Sequence, residues 1–362
     1  MTTIARDTIT AQIDVAGGVD THQDTHTAAV IDTAGRRLGH QQFEATAAGY
    51  QQLLVWLRGF GVLVIVGIEG TGAYGAGLAR HLSAEGVAMV EVDRPDRKTR
   101  RFAGKSDPLD AEAAARAALA GVRTGVPKQR DGRVEALRNL RVARGSAVDQ
   151  RADCQRRIKS LIVTAPEPLR APLRGLKDAR LIATCAGLRP DSARIGEPEQ
   201  AVKTALRALA RRHAALTVEI DELDELIAPL VTAINPALMA CNGVGADVAG
   251  QLLVTAGQNA DRLHSEPAFA MLCGVAPIPA SSGRTNRHRL NRGGDRQANA
   301  ALYRVVLCRM RWDSRTRAYV ERRTKEGLSK KDIIRCLKRM IARELYYVLR
   351  PAGPAEKVAL AA

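Results

Sequence analysis

The chain has 362 residues, 46% of them apolar, which allows two or three domains with real cores and excludes a largely disordered chain. Lys and Arg outnumber Asp and Glu 55 to 38, and a formal charge of +17 points to a polyanionic partner, nucleic acid first, in preference to a small metabolite. Aromatics are only 3%, which excludes an extensive base-stacking surface and leaves phosphates and backbone shape as the expected contacts.

From Gln12 to Gly121 strand and helix signals alternate, the mark of an α/β domain, assigned here to residues 12–125. Ala28–Asp32 followed by Thr33-Ala34-Gly35 predicts a strand entering a hairpin, and Val62–Ile68 predicts a strand buried on both faces. Leu78–Ala84 reads as helix, Val87–Val92 as strand, and Asp110–Leu119 as an Ala-rich helix ending at Gly121. Residues 131–234 read as a helical, coiled-coil linker. In Ala201–Ile234, Val202, Leu206, Leu209, His213, Leu216, Ile220, Leu223 and Ile227 alternate spacings of four and three, a heptad seam that offers a dimer contact; Pro229 is expected to stop or kink it. The competing reading is a long helix packed on its own domain. Residues 235–350 form a third, mainly helical unit. Cys241-Asn242-Gly243-Val244-Gly245 before Val248–Ala256 resembles a helix-hairpin-helix, whose glycine turn (Gly243, Gly245) would present N–H groups to a DNA phosphate. Ala300–Arg311 and Lys330–Leu349 are basic amphipathic helices, the second with Ile333, Ile334, Leu337, Met340, Ile341 and Leu345 on one face, and Ala352–Ala362 reads as a loose tail.

Four carboxylates stand where strands end or a helix begins. Asp20 follows Ala16–Val19, Glu69 ends the buried run Val62–Ile68, and Asp107 and Asp110 lie three apart at a helix start, on one side of it. Each has a plain structural reading, as a turn residue, a strand-end charge, or a Ser106/Asp107/Pro108 helix N-terminus. Together they would converge at one sheet edge and hold the Mg²⁺ ions of an in-line phosphoryl displacement. Asp24 is an alternative to Asp20. His22 and His26 read as hairpin residues, since hard Mg²⁺ prefers oxygen. A rival motif, Gly70-Thr71-Gly72-Ala73-Tyr74-Gly75 with Glu91 about twenty residues on, matches a dinucleotide fingerprint. That fingerprint normally opens its domain, and it leaves the charge unexplained.

Ser281-Ser282-Gly283 precedes Arg284, Arg287, Arg289 and Arg292, four arginines in nine residues with no acid among them. Guanidinium groups clamp phosphate in bidentate fashion, so the segment reads either as a serine nucleophile with its clamp or as a solvated basic turn.

These motifs together resemble the DEDD transposases of the insertion-sequence "one-ten" family, relatives of the Piv DNA invertase. The resemblance rests on Val19-Asp20, Ile68–Gly72 and Lys105–Ala111. It continues with Gly243-Val244-Gly245, Phe269 through Gly274–Pro277, Ser281–Gly283 and Asn291–Asp295. The turn Gly293-Gly294-Asp295 departs slightly from the Lys/Arg-x-Gly-Asn/Asp of many relatives. The resemblance implies a RuvC/RNase H-like domain, a helical coiled-coil linker and a compact transposase domain. It implies Mg²⁺ on Asp20, Glu69, Asp107 and Asp110, with Ser282 as nucleophile and Ser281 as the fallback. The implied partners are double-stranded donor and target DNA, a structured bridge RNA that guides both, and further copies of the chain as a dimer or tetramer.

Two other functions remain open at this stage: a metal-dependent nuclease or junction resolvase that uses water, and a non-catalytic nucleic-acid-binding protein. Six scattered cysteines without C-x-x-C spacing read as reduced thiols. With no apolar run long enough for a bilayer and no signal-peptide pattern, a cytoplasmic protein is expected, nucleoid-associated when bound to DNA.

Overall fold

The computed structural model describes residues 13–92, 106–284 and 288–350. Lys105, Arg287 and the Ala352–Ala362 tail lie outside the described residues. The chain divides into two compact units, residues 1–130 and 131–362.

The first unit is built on a six-stranded mixed sheet, consistent with a RuvC-like fold. Its strands are β1 (Asp14–Thr21), β2 (Thr25–Asp32), β3 (Arg37–Glu44), β4 (Val62–Glu69), β5 (Met89–Val92) and β6 (Thr124–Gly125), in the order β3-β2-β1-β4-β5-β6. β1 and β2 form the expected hairpin, and β1, β4 and β5 run parallel, so their C-terminal ends share one edge. One face carries α1 (Ala47–Arg58) and α2 (Ala76–Ala84) over Val15, Val19, Val30, Val66 and Ile68. β4 is buried on both faces only from Val66 onward.

The other face takes α3 (Asp107–Ala120), which packs on Ala16, Ile31 and Ile65 and comes closest over two glycines. A Cβ at Gly18 would stand 2.1 Å from the Ala111 carbonyl oxygen and 2.2 Å from the Ala115 nitrogen. At Gly67 it would stand 2.4 Å from the Ala114 carbonyl oxygen and 2.9 Å from the Ala118 Cβ. The helix matches with its own small residues: Ala111, Ala114, Ala115 and Ala118 are buried there. Alanine is also the strongest helix former, and Pro108 fits the first turn, so local preference and close packing agree.

The second unit is helical: α4 (Gly132–Thr164), α5 (Glu167–Leu173), α6 (Asp178–Ala186), α7 (Pro198–Ile234), α8 (Pro236–Met239), α9 (Ala246–Ala256), α10 (Glu266–Leu272), α11 (Arg296–Trp312), α12 (Ser314–Lys325) and α13 (Lys330–Leu349). A two-stranded ribbon, β7 (Ile278–Pro279) and β8 (His288–Arg289), interrupts it. The heptad seam is filled within the chain. Leu206, Leu216, Ile220 and Ile227 are buried in clusters that they share with Ile158, Ala147, Cys154 and Leu137 of α4. Arg144 grips Asp224 through two bonds of 2.5 and 2.9 Å across the same pair. α7 does not stop at Pro229 but runs on to Ile234. Pro229 and Glu225, whose carbonyl loses its helical donor there, both face solvent, where water can replace the missing bond. Met340 is also corrected: it is 53% exposed, while Ile333, Leu337, Ile341 and Leu345 are buried. Among the described residues no helix is long and apolar enough to cross a membrane.

Replacing Gly18 with Ala forces backbone against backbone and is expected to destabilise the first unit by about 3 kcal/mol. Gly145→Ala, on the exposed side of α4 with no atom within 4 Å of the new Cβ, is expected to stabilise by about 1 kcal/mol. Urea unfolding of each variant measures both; a neutral Gly18→Ala would contradict the close packing.

Candidate functional site

The parallel strand ends and the α3 N-terminus meet at one place. Val19 and Ile68 pair in register and point into the α1–α2 core, while Gly18 and Gly67 face α3. Strand alternation therefore puts Asp20 and Glu69, one residue further on, on the α3 side of neighbouring strands. Thr21 joins these ends, its hydroxyl donating to the Glu69 carbonyl at 2.7 Å. Asp20, Glu69 and Asp110 are all buried to at least nine-tenths.

Asp107 and Asp110 occupy the first turn of α3, where the helix dipole favours anions. Ser106 is the N-cap residue and Pro108 lies in the first turn, as the helix N-terminus reading expects, although Ser106 makes no side-chain capping bond. The Asp20 carboxyl is pushed above its ordinary value by burial; His22 pulls it down, and Asp110 and Asp107 push it up again. Asp107 and Asp110 are thus near enough to Asp20 for their charges to act on its carboxyl. Asp24 does not join them: it lies exposed in the β1–β2 turn, its carbonyl accepting from the Ala45 amide at 2.9 Å.

His22 does join them. Its Nε2 lies 3.2 Å from Asp20 Oδ2 and 3.5 Å from Asp107 Oδ1. One donor atom from each of Asp20, His22 and Asp107 falls within 4.8 Å of the others. The hairpin reading of His22 was right about its place and incomplete about its contacts, because the turn folds the ring back over Asp20. His26, by contrast, is fully buried, stacks on Tyr50 at 5.6 Å and points its Nδ1 at the Thr25 carbonyl. Carboxylate oxygens from a strand end and a helix start, Asp20 buried and Asp107 half-exposed, are donors of the kind a divalent cation takes.

The glycine motif after β4 forms a turn closed on itself. Gly70 accepts from the Ala73 and Gly75 amides, Gly72 accepts from Arg130, and Thr71 is buried. Glu91 lies within the sheet, paired with Gly125.

In the second unit, Ser281 and Ser282 sit on the exposed connection between β7 and β8. Arg284, Arg289 and Arg292 are exposed on the same segment. The base of this hairpin is firmly tied. Asn299 donates to the carbonyls of Cys273 and Gly274 at 2.9 and 3.1 Å, and Asn291 donates to Met271 at 3.2 Å. Asp295 caps α11 and accepts from Thr255 at 2.6 Å. Gly294, at φ 87°, passes so close that a Cβ would lie 2.6 Å from the Leu272 carbonyl oxygen. Gly243 and Gly245 lie in the turn between α8 and α9, with the Asn242 carbonyl taking a bond from Arg309 at 2.8 Å.

Asp20→Asn removes a buried charge from the cluster. It is expected to leave the metal-free chain at least as heat-stable as the original and to abolish stabilisation by divalent cation. For the original chain that stabilisation is about 2.7 kcal/mol at a hundredfold excess over Kd. Thermal unfolding with and without Mg²⁺ reads both effects, and an equal Mg²⁺ shift in the variant would contradict the site.

Two family models match parts of this chain. Residues 17–165 match a DEDD-type family model described as Transposase, and residues 235–321 match one described as Transposase IS116/IS110/IS902 family. The chain is 27% identical over 155 residues to the insertion element IS900 uncharacterized 42 kDa protein of Mycobacterium paratuberculosis, covering 42% of this chain and 39% of that protein. It is 30% identical over 149 residues to the insertion element IS110 uncharacterized 43.6 kDa protein of Streptomyces coelicolor, covering 41% of this chain and 35% of that one. The matched stretch thus spans well under half the length of these relatives. The two family matches between them take in both the carboxylate cluster and the serine hairpin, and the chain belongs to the IS116/IS110/IS902 family of transposases.

Proposed function

We propose that this chain is a DNA recombinase of an insertion sequence that cuts and exchanges strands through a phosphoserine link. The observation that carries this reading is the gathering of Asp20, Asp107 and Asp110 beside the Glu69 strand end, on the side of the sheet that α3 covers. An exposed serine among arginines supplies the second half of the chemistry.

Asp20, Glu69, Asp107 and Asp110 would hold Mg²⁺, which supplies Lewis acidity for an in-line displacement at phosphorus. Ser282 is a weak nucleophile at neutral pH and must lose its proton as it attacks. Its Oγ forms a bond to the DNA phosphorus, the bond from phosphorus to the 3′ oxygen breaks, and that oxygen takes up a proton to leave as a free 3′-hydroxyl. The phosphodiester is exchanged for a phosphoserine ester, so the strand can be resealed to a new partner without ATP. Arg284, Arg287, Arg289 and Arg292 would clamp the non-bridging oxygens and offset charge in the transition state. Gly243 and Gly245 would offer backbone amides to a further phosphate.

Few aromatics and a charge of +17 suit a protein that grips backbones and leaves sequence reading to base pairing. The proposal therefore includes a structured bridge RNA that pairs with donor and target DNA, and an oligomer, dimer or tetramer, to hold the two duplexes.

A denaturing gel of the chain with labelled element-end DNA, guide RNA and Mg²⁺ tests the chemistry. A covalent protein–DNA band is expected, lost on chelation and reduced about a thousandfold or more in Ser282→Ala, with Ser281→Ala retaining it. Free nicks that survive Ser282→Ala would replace this reading with a nuclease that uses water. Tight binding without cleavage would replace it with a non-catalytic binder.

A further inference from the structure

We propose that His22 is a nitrogen ligand of the carboxylate centre. The site would then be a mixed oxygen–nitrogen one that favours transition-metal cations over Mg²⁺. The inference rests on the metal-centre reading given above, and goes beyond it in ligand set and in choice of ion.

The geometry is that of a ligand set already gathered. Ligands bonded at about 2.1 Å around an octahedral ion stand about 3 Å apart when adjacent and about 4.2 Å apart when opposite. Nε2 of His22 lies 3.2 Å from one Asp20 oxygen and 3.5 Å from one Asp107 oxygen, and all three donors fall within 4.8 Å. Movements of a few tenths of an ångström would therefore bring them onto one ion.

The placement of His22 is built into the hairpin. Its amide donates to the Thr25 carbonyl at 3.0 Å, closing the β1–β2 turn, and the Thr21–His26 pair fixes the register just before it. The ring is not there to fill a core, because its side chain keeps 46% of its surface open to water. The open side leaves room for a cation and its remaining water ligands.

The chemistry of the donors sets the preference. Carboxylates alone suit Mg²⁺, whereas an imidazole nitrogen raises affinity for later first-row ions. A site with Asp20, Asp107 and His22 in contact with one ion would bind Co²⁺ far more tightly than an all-oxygen site, with little change for Mg²⁺.

Pulsed EPR of the full chain loaded with Mn²⁺ tests ligation, and Co²⁺ and Mg²⁺ titrations test preference. The original chain is expected to show nitrogen coupling from imidazole on an Mn²⁺ ion whose binding requires Asp20. His22→Ala and His22→Gln are expected to keep that ion and lose the coupling. Their Co²⁺ affinity is expected to fall about tenfold or more while Mg²⁺ affinity stays within about twofold. Absence of nitrogen coupling from an Asp20-dependent ion, or an unchanged Co²⁺ to Mg²⁺ ratio, would overturn the role of His22 and leave the carboxylate centre standing. If Asp20→Asn changes no ion binding at all, the carboxylate centre itself falls.

Discussion

Everything at the carboxylate centre depends on how closely α3 approaches β1 and β4. Gly18 and Gly67 leave gaps in the sheet surface, and the alanines of α3 descend into them until backbone meets backbone. A helix held at that distance carries its first turn to the ends of the parallel strands, where Asp20 and Glu69 already stand. Larger side chains on either surface would lift Asp107 and Asp110 away. Burial pushes the Asp20 carboxyl up, and the neighbouring Asp110 and Asp107 add to the push. The small-residue contact is what brings these acids together, and the proposed role of the cluster is to receive a cation.

The serine hairpin follows a different plan. Its tip is exposed and basic, but its base is fixed by backbone carbonyls, two asparagine side chains and the Asp295 cap. An exposed serine on a tied base suits the proposed attack on a large substrate. The two long helices before it are fastened to each other by the heptad seam and by Arg144–Asp224. The seam residues Leu206, Leu216, Ile220 and Ile227 are buried against α4 of the same chain.

Much of this was legible in the sequence, and the reasons are particular. β2 was visible from its apolar run before a glycine turn, α3 from its alanines and glycine stop, α7 from its heptad spacing and α13 from its amphipathic period. Asp107 and Asp110 could be placed on one side from their spacing alone, and Asp20 and Glu69 at strand ends from the apolar runs before them. His22 was legible as a turn residue and not as a neighbour of Asp107, because that contact depends on how the turn folds and where α3 comes to rest. The seam of α7 was visible, but nothing in its spacing distinguishes a partner in the same chain from one in another. α12 was missed because half of its residues are charged, and among its residues only Thr316 is buried.

The central claim is that the α3–sheet contact assembles one metal centre from both strand ends and the helix start. Anomalous diffraction from a crystal of the full chain soaked in Mn²⁺ tests it most directly. The account predicts a peak bounded by the carboxylates of Asp20, Asp107 and Asp110, beside Glu69. Well-ordered carboxylates with no peak among them, or Mn²⁺ found only elsewhere on the chain, would contradict it.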